Sequence, residues 1–115
     1  MKTIDIVVPC YNEELCVKPL YNAVNDVMRQ ESGYETSILF VDDGSRDGTI
    51  EQVKELTEEN VKVKYMSFSR NFGKEAAIFA GLVNSTGDIV VLMDADLQHP
   101  PELLPQMLRE LENGY

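Results

Sequence analysis

Four short apolar runs, at residues 4–8, 38–41, 61–66 and 89–93, alternate along the chain with segments whose apolar residues recur at helical spacing. The helical stripes are Leu20, Val24, Val27 and Met28; Ile50, Val53 and Leu56; Ala76, Phe79, Ala80 and Val83; and Leu104, Met107, Leu108 and Leu111. Residues three, four, seven and eight apart share one face of a helix, so each stripe predicts a helix buried on one side. The punctuation agrees. Pro9 stops the first run, Ser32-Gly33 ends the first helix, Asp47 is placed to cap the second, Gly73 opens the third, and Thr86-Gly87 closes it. Pro100-Pro101 stands where a helix start tolerates proline. The run at 61–66 alternates apolar and polar residues, as a strand with one solvated face does. The order β-α-β-α-β-α-β-α implies a parallel sheet with helices on both faces and right-handed crossovers. No repeat, linker or low-complexity stretch divides the chain, so residues 1–115 read as one domain.

Charge narrows the ligands. The 115 residues carry 20 acidic against 10 basic side chains, a formal net charge of −10, with no Lys/Arg cluster. That balance argues against nucleic acid as a partner, and it means that an anionic ligand needs a local cation. Mg2+ or Mn2+ meets the need, because hard cations take carboxylate oxygens and bridge them to a diphosphate. Cys10 and Cys16 lack the spacing and histidine partners of a zinc site or disulfide framework, which fits a reducing, cytosolic setting. Residues 1–9 hold Asp5 inside their apolar stretch and are too short for a signal peptide. No apolar run approaches the roughly 20 residues of a membrane helix, so a soluble chain is expected.

The chemistry-bearing residues stand where the apolar runs end. In a parallel sheet those ends share the carboxyl edge, where open α/β sheets bind ligands. Asp94 and Asp96 follow the fourth run two residues apart, so in an extended chain both carboxylates share a face and can approach one cation. Gln98 can add a neutral oxygen; His99, before two prolines, reads as a solvated loop residue. The Asp-x-Asp pair is also compatible with simple capping of the next helix. Asp42-Asp43-Gly44-Ser45, with Asp47, Gly48 and Thr49 behind it, combines glycines for tight turns with short side chains that accept hydrogen bonds from a base or ribose. A generic turn with a helix cap is the alternative. Arg70 and Lys74 flank Gly73 at a helix start, where free N–H groups and the dipole favour a phosphate, although both also fit as solvated charges. Pro9, Tyr11 and Glu13 close the first run with a ring that can stack on a base, or serve as an ordinary interfacial tyrosine, and a carboxylate.

As an ordered set these strings resemble a known family. Pro9-Cys10-Tyr11-Asn12-Glu13, Val41-Asp42-Asp43-Gly44-Ser45 with Asp47 and Thr49, Ser69-Arg70-Asn71-Phe72-Gly73-Lys74, and Asp94-Ala95-Asp96-Leu97-Gln98 look like the nucleotide-binding half of family 2 glycosyltransferases. The similarity runs from residue 4 to 111, and the stretch from Asp94 through Glu102 is most similar to the dolichol-phosphate mannose synthase and undecaprenyl-phosphate glucosyltransferase type. The resemblance implies the N-terminal half of a GT-A fold, a Rossmann-like three-layer α/β/α arrangement with a mainly parallel sheet. It also implies metal-dependent transfer of a sugar from a UDP- or GDP-sugar to an acceptor, a lipid phosphate such as a polyprenyl phosphate or a saccharide. Carried over by position, Pro9, Tyr11, Glu13, Asp42, Asp43, Arg70, Lys74 and Asp94 would line the nucleotide, and Asp94, Asp96 and Gln98 would hold the metal. The catalytic base is expected beyond residue 115. The chain alone is therefore expected to bind a nucleotide sugar without transferring it, and to self-associate through an open sheet edge. Its expected place is the cytoplasm, at the inner face of the membrane in a full-length relative.

Two other classes share parts of the pattern. A receiver-like signalling domain binds Mg2+ with aspartates after its first strand, but here the first run ends in Pro9-Cys10-Tyr11, and no fifth strand with its lysine follows. A haloacid-dehalogenase-like phosphatase places Asp-x-Asp on its first strand with Thr or Val two residues later, where this chain has Gln98. A non-catalytic nucleotide-sugar-binding fragment is the second reading.

Overall fold

Residues 2–10 form the strand around which the sheet is built. The computed structural model describes residues 2–31, 33–96 and 100–114. Its elements are β1 (Lys2–Cys10), α1 (Val17–Met28), β2 (Tyr34–Asp42), α2 (Thr49–Glu59), β3 (Val63–Ser67), α3 (Lys74–Val83), β4 (Ile89–Leu92) and α4 (Leu104–Glu112), the last entered through a 3-10 turn at Pro101–Leu103. The strands are all parallel and lie in the order β3-β2-β1-β4, as the alternation required.

β1 does not stop at Pro9. It runs on to Cys10, with Pro9 opposite Val41. Alternate residues of a parallel strand direct both N–H and C=O to the same neighbour. The Met93 N–H donates to the Val7 carbonyl, so Val7 and Pro9 address β4. The last β4 pair is Val7 with Leu92, and the donor that proline lacks is one the ladder does not use. β2 is likewise longer than its apolar run, because the polar residues Tyr34, Glu35, Thr36 and Ser37 pair with Lys2 through Asp5. Asp5, the acid inside the first apolar run, accepts the N–H groups of Thr86 and Gly87 at 2.8 and 2.9 Å and so closes the α3–β4 connection.

Helices cover both faces. On one, Val17, Leu20 and Val24 of α1, Val53 and Leu56 of α2, and Leu104 and Leu108 of α4 pack against Ile4, Ile6, Val8 and Phe40 of the sheet. Each of these larger side chains, once fully buried, contributes roughly 1.5 to 3 kcal/mol. Met107 and Leu111, expected on the buried side of α4, remain 43% and 47% exposed. Among the described residues α3 is the helix on the other face, Ala77 packing on Val7 and Val41 with Phe68 beside them. Its buried face is rotated from the expected stripe, since Phe79 and Val83 are 69% and 63% exposed while Ala77 and Gly81 are buried. The reason is close approach. A Cβ on Gly81 would lie 2.4 Å from Val7 Cγ1, so only small residues fit between α3 and the sheet. Among the described residues no helix is long and apolar enough to cross a membrane.

Candidate functional site

β1 and β4 are neighbours, and at the carboxyl edge of the sheet the segments that follow them border a crevice, the usual ligand position in such sheets. Pro9, Cys10, Tyr11 and Glu13 after β1, Asp43 after β2, Lys74 and Ala77 of α3, and Asp94, Ala95 and Asp96 after β4 line it. An adjoining cleft is lined by Tyr11, Asp42, Gly44, Ser45, Arg46, Ser67 and Arg70 among others, so Tyr11 borders both. Seven of the residues singled out in the sequence, Pro9, Tyr11, Glu13, Asp43, Lys74, Asp94 and Asp96, thus share one crevice, with Asp42 and Arg70 next door. Gln98 and His99 lie outside the described residues. The Asp42/Asp43 and Asp94/Asp96 pairs belong to strands two positions apart, roughly 10 Å at ordinary strand spacing.

Asp42 and Asp43 are 2% and 4% exposed. Asp43 Oδ1 accepts the Phe72 N–H at 2.8 Å, and Oδ2 accepts the Gly73 N–H at 3.0 Å. The donors in front of α3 that looked ready for a phosphate are turned onto this carboxylate, whose charge also suits the amino end of the helix. Asp42 accepts the Ser45 N–H and the Ser67 hydroxyl at 3.3 Å. Gly44, at φ 75°, lets the loop after β2 press on the loop after β3, where a Cβ would fall 2.4 Å from the Arg70 carbonyl carbon. The Arg70 guanidinium stacks 4.8 Å from the Phe72 ring centroid. It faces the second cleft, apart from Lys74.

A set of braces escaped the sequence reading. The Asn12 N–H donates to Ser45 Oγ at 2.8 Å and the Arg46 N–H to Asn12 Oδ1 at 2.9 Å. The Glu13 N–H donates to Thr49 Oγ1 at 2.8 Å and the Glu14 N–H to Asp47 Oδ2 at 3.3 Å. Asn12 sits at φ 53°, a region asparagine tolerates better than most residues. The short side chains that seemed available to a base or ribose hold the first loop to the second. Asp47 Oδ1 also accepts the Thr49 N–H at 3.0 Å, capping α2 from one residue before its N-cap position, Gly48. Apart from the capping role expected of Asp47, the only cue was residue type, since partners more than 30 positions apart leave no periodic signal.

Electrostatics set the crevice's preference. Glu13, Asp43, Asp94 and Asp96 line it against a single ammonium, Lys74, among the described residues. Lys74 Nζ is 2.8 Å from Asp94 Oδ1, a hydrogen bond that holds the ammonium above its ordinary range. Burial pushes the Glu13 carboxyl up, with Asp96 and Asp94 adding to the effect and the Cys16 thiol opposing it. Burial, then the Asp42 carboxylate, raises the Cys10 thiol to about 12, which leaves it an inert wall of the crevice. Among the described residues no three His, Cys, Asp or Glu side chains converge on a metal position. Asp94 and Asp96 nevertheless suit Mg2+ or Mn2+, which are commonly held by one or two carboxylates together with substrate phosphates and water.

Comparison with known proteins places this geometry. The family model described as glycosyl transferase family 2 matches residues 5–115. The uncharacterized glycosyltransferase YkcC of Bacillus subtilis (strain 168) is 46% identical over 111 residues, 96% of this chain and 34% of that protein. The bactoprenol glucosyl transferase of Shigella phage SfX is 40% identical over 111 residues, 96% of this chain and 36% of that protein. The chain thus spans about a third of the length of these relatives. The structure of the mannosyltransferase PcManGT from Pyrobaculum calidifontis in complex with GDP-Man and Mn2+ superposes with a TM-score of 0.79 at 25% identity, over 94% of this chain and 32% of that one. The parallel sheet with its flanking helices is therefore part of a GT-A fold.

Proposed function

The chain belongs to glycosyl transferase family 2, and from that premise we propose that residues 1–115 are the nucleotide-sugar-binding part of a glycosyltransferase domain. The activity proposed for the whole protein is transfer of a sugar from a UDP- or GDP-sugar to a polyprenyl phosphate or a saccharide. The name of the phage relative, a bactoprenol glucosyl transferase, supports a lipid acceptor, and the GDP-Man and Mn2+ of the Pyrobaculum calidifontis structure support the donor and the cation.

In this reading the crevice takes the diphosphate and the adjoining cleft takes the nucleoside. Tyr11, which borders both, stacks on the base, with Asp42 and Arg70 on the cleft side and Pro9, Glu13, Asp43 and Lys74 on the crevice side; Arg70 and Lys74 supply positive charge. Asp94, Asp96 and Gln98 hold Mg2+ or Mn2+, which when bound neutralises the departing diphosphate. The general base is assigned to the length of the relatives that this chain does not span, and the proposed setting is the cytoplasmic face of a membrane, consistent with Cys10 and Cys16 both being free thiols.

The observation that carries the reading is the excess of carboxylates in the crevice, Glu13, Asp43, Asp94 and Asp96 around Lys74. A diphosphate adds negative charge, and each close like-charge contact is unfavourable by roughly 1 to 4 kcal/mol at effective dielectrics of about 80 to 20. A divalent cation reverses that sign. Calorimetric titration with UDP, GDP and their sugars is expected to give binding in Mn2+ that weakens at least about tenfold in EDTA, the effect of losing roughly one such contact. Asp96→Asn should remove most of the metal dependence. Equal affinity in EDTA and Mn2+ would overturn the reading, and a radiolabelled transfer assay with polyprenyl phosphate separates an active chain from a binding fragment.

We also propose that a second copy associates with the open side of the sheet. Among the described residues β4 pairs only with β1, and Phe79, Leu82 and Val83 of α3 and Val90 and Leu92 of β4 are exposed. Light scattering is expected to show mass rising with concentration; a constant monomer mass up to the millimolar range would sink this idea.

A further inference from the structure

We propose that Lys74 is a displaceable counter-cation. In the ligand-free chain its ammonium occupies Asp94; when a divalent ion takes that carboxylate, the ammonium is released and passes to the diphosphate. The inference rests on the reading of this crevice as a diphosphate and metal site.

The geometry points to an exchange because the partners are held unequally. Lys74 Nζ lies 2.8 Å from Asp94 Oδ1, yet the Lys74 side chain is 62% exposed and that of Asp94 only 23%. The carboxylate stands just after β4 between Met93 and Ala95, both buried, and the ammonium reaches it on a flexible stem from the first turn of α3. A carboxylate oxygen that accepts an ammonium hydrogen bond cannot give the same lone pair to a metal, and two cations on neighbouring oxygens repel. Lys74 is the one ammonium or guanidinium lining the crevice among the described residues. Its departure leaves Asp94 with Glu13, Asp43 and Asp96 along the same crevice, a concentration of negative charge that suits a divalent ion. Once the ion is in place, the compact ammonium is free to meet the diphosphate as a point charge.

This exchange makes two predictions of opposite sign for one substitution. In Lys74→Met, Mn2+ alone should bind about two- to fivefold more tightly, the range supported by loss of a competing exposed ion pair. At saturating Mn2+, UDP and GDP should bind about tenfold more weakly, as expected when a charge-assisted contact to phosphate is lost. Lys74→Arg should restore nucleotide affinity in part and return Mn2+ affinity toward that of the unaltered chain. A lysine that only binds phosphate gives the second effect without the first, and a merely structural one gives neither. The measurement is calorimetric titration of the full chain with MnCl2 alone and then with UDP or GDP, with thermal unfolding confirming that each variant is folded. Unchanged or weakened Mn2+ binding in Lys74→Met overturns the proposal. Asp94→Asn distinguishes the two levels. If it abolishes Mn2+ binding while Lys74→Met leaves it unchanged, the exchange is wrong and the site reading stands; if Asp94→Asn binds Mn2+ like the unaltered chain, the site reading fails and takes the exchange with it.

Discussion

Gly44→Ala is expected to lower the stability of the chain by about 2 to 5 kcal/mol, combining roughly 1 to 3 for overpacking and 1 to 2 for a non-glycine residue in the left-handed region. The added Cβ would meet the Arg70 carbonyl carbon at 2.4 Å and the Asn71 nitrogen at 2.6 Å. Both are backbone atoms, so no rotamer change relieves the clash. Retreat of either loop would strain the Asp43 hydrogen bonds to Phe72 and Gly73. Against a total stability of about 5 to 15 kcal/mol, that loss approaches unfolding. Gly73→Ala is the control. It too sits at positive φ, 106°, but its Cβ would find nothing within 4 Å, so only the backbone strain applies. Urea titration should show a much larger drop in midpoint for Gly44→Ala than for Gly73→Ala. Midpoints that fall equally would mean that the contact with the β3 loop is unimportant.

The residues that were legible in the sequence are those whose roles have a period or a strand end behind them. Leu20, Val24, Val53, Leu56, Leu104 and Leu108 announce their burial by helical spacing, and the fold class followed from their alternation with the apolar runs. Asp94 and Asp96 announce themselves by ending such a run. α3 misled because hydrophobicity and proximity disagree there: the helix lies so close to Val7 and Val41 that Ala77 and Gly81 face the sheet, while Phe79 and Val83 remain outside. Pro9 misled because its missing donor matters only if a neighbouring strand continues past it, a fact about β4 that lies 80 residues away in sequence. Asn12 with Ser45, and Glu13 with Thr49, were invisible for the same reason, since each hydrogen bond joins two loops whose relative placement only the closed sheet defines. The second cleft belongs to the same class, being made of segments from β1, β2 and β3 that come together only when the strands align.

Asp43 is where the two kinds of role meet, and its substitution separates them. Asp43→Asn is nearly isosteric, but an amide has one oxygen to offer where the carboxylate accepts from both Phe72 and Gly73. The Gly73 N–H then faces the amide NH2 and keeps only its 3.3 Å contact with the oxygen that Phe72 uses, a weakened hydrogen bond costing about 1 kcal/mol, and the lost charge at the amino end of α3 adds roughly 0.3 to 1. Asp43→Ala leaves both donors without the carboxylate and should cost about 2 to 6 kcal/mol, twice the roughly 1 to 3 of one unsatisfied buried donor. Because these hydrogen bonds fix the segment that leads into Lys74, the damage should extend to the crevice. Amide exchange at Phe72 and Gly73 is expected to accelerate in Asp43→Asn, and nucleotide affinity should fall at temperatures where the variant is still folded. Mn2+ binding at Asp94 and Asp96 should persist, since those residues end a strand on the far side of β1. An Asp43→Asn chain with unchanged unfolding midpoint and unchanged exchange, but reduced nucleotide affinity, would assign the carboxylate to the ligand alone. Loss of both stability and affinity, with exchange concentrated at Phe72 and Gly73, would mean that this aspartate shapes the site by holding the neighbouring loop in place.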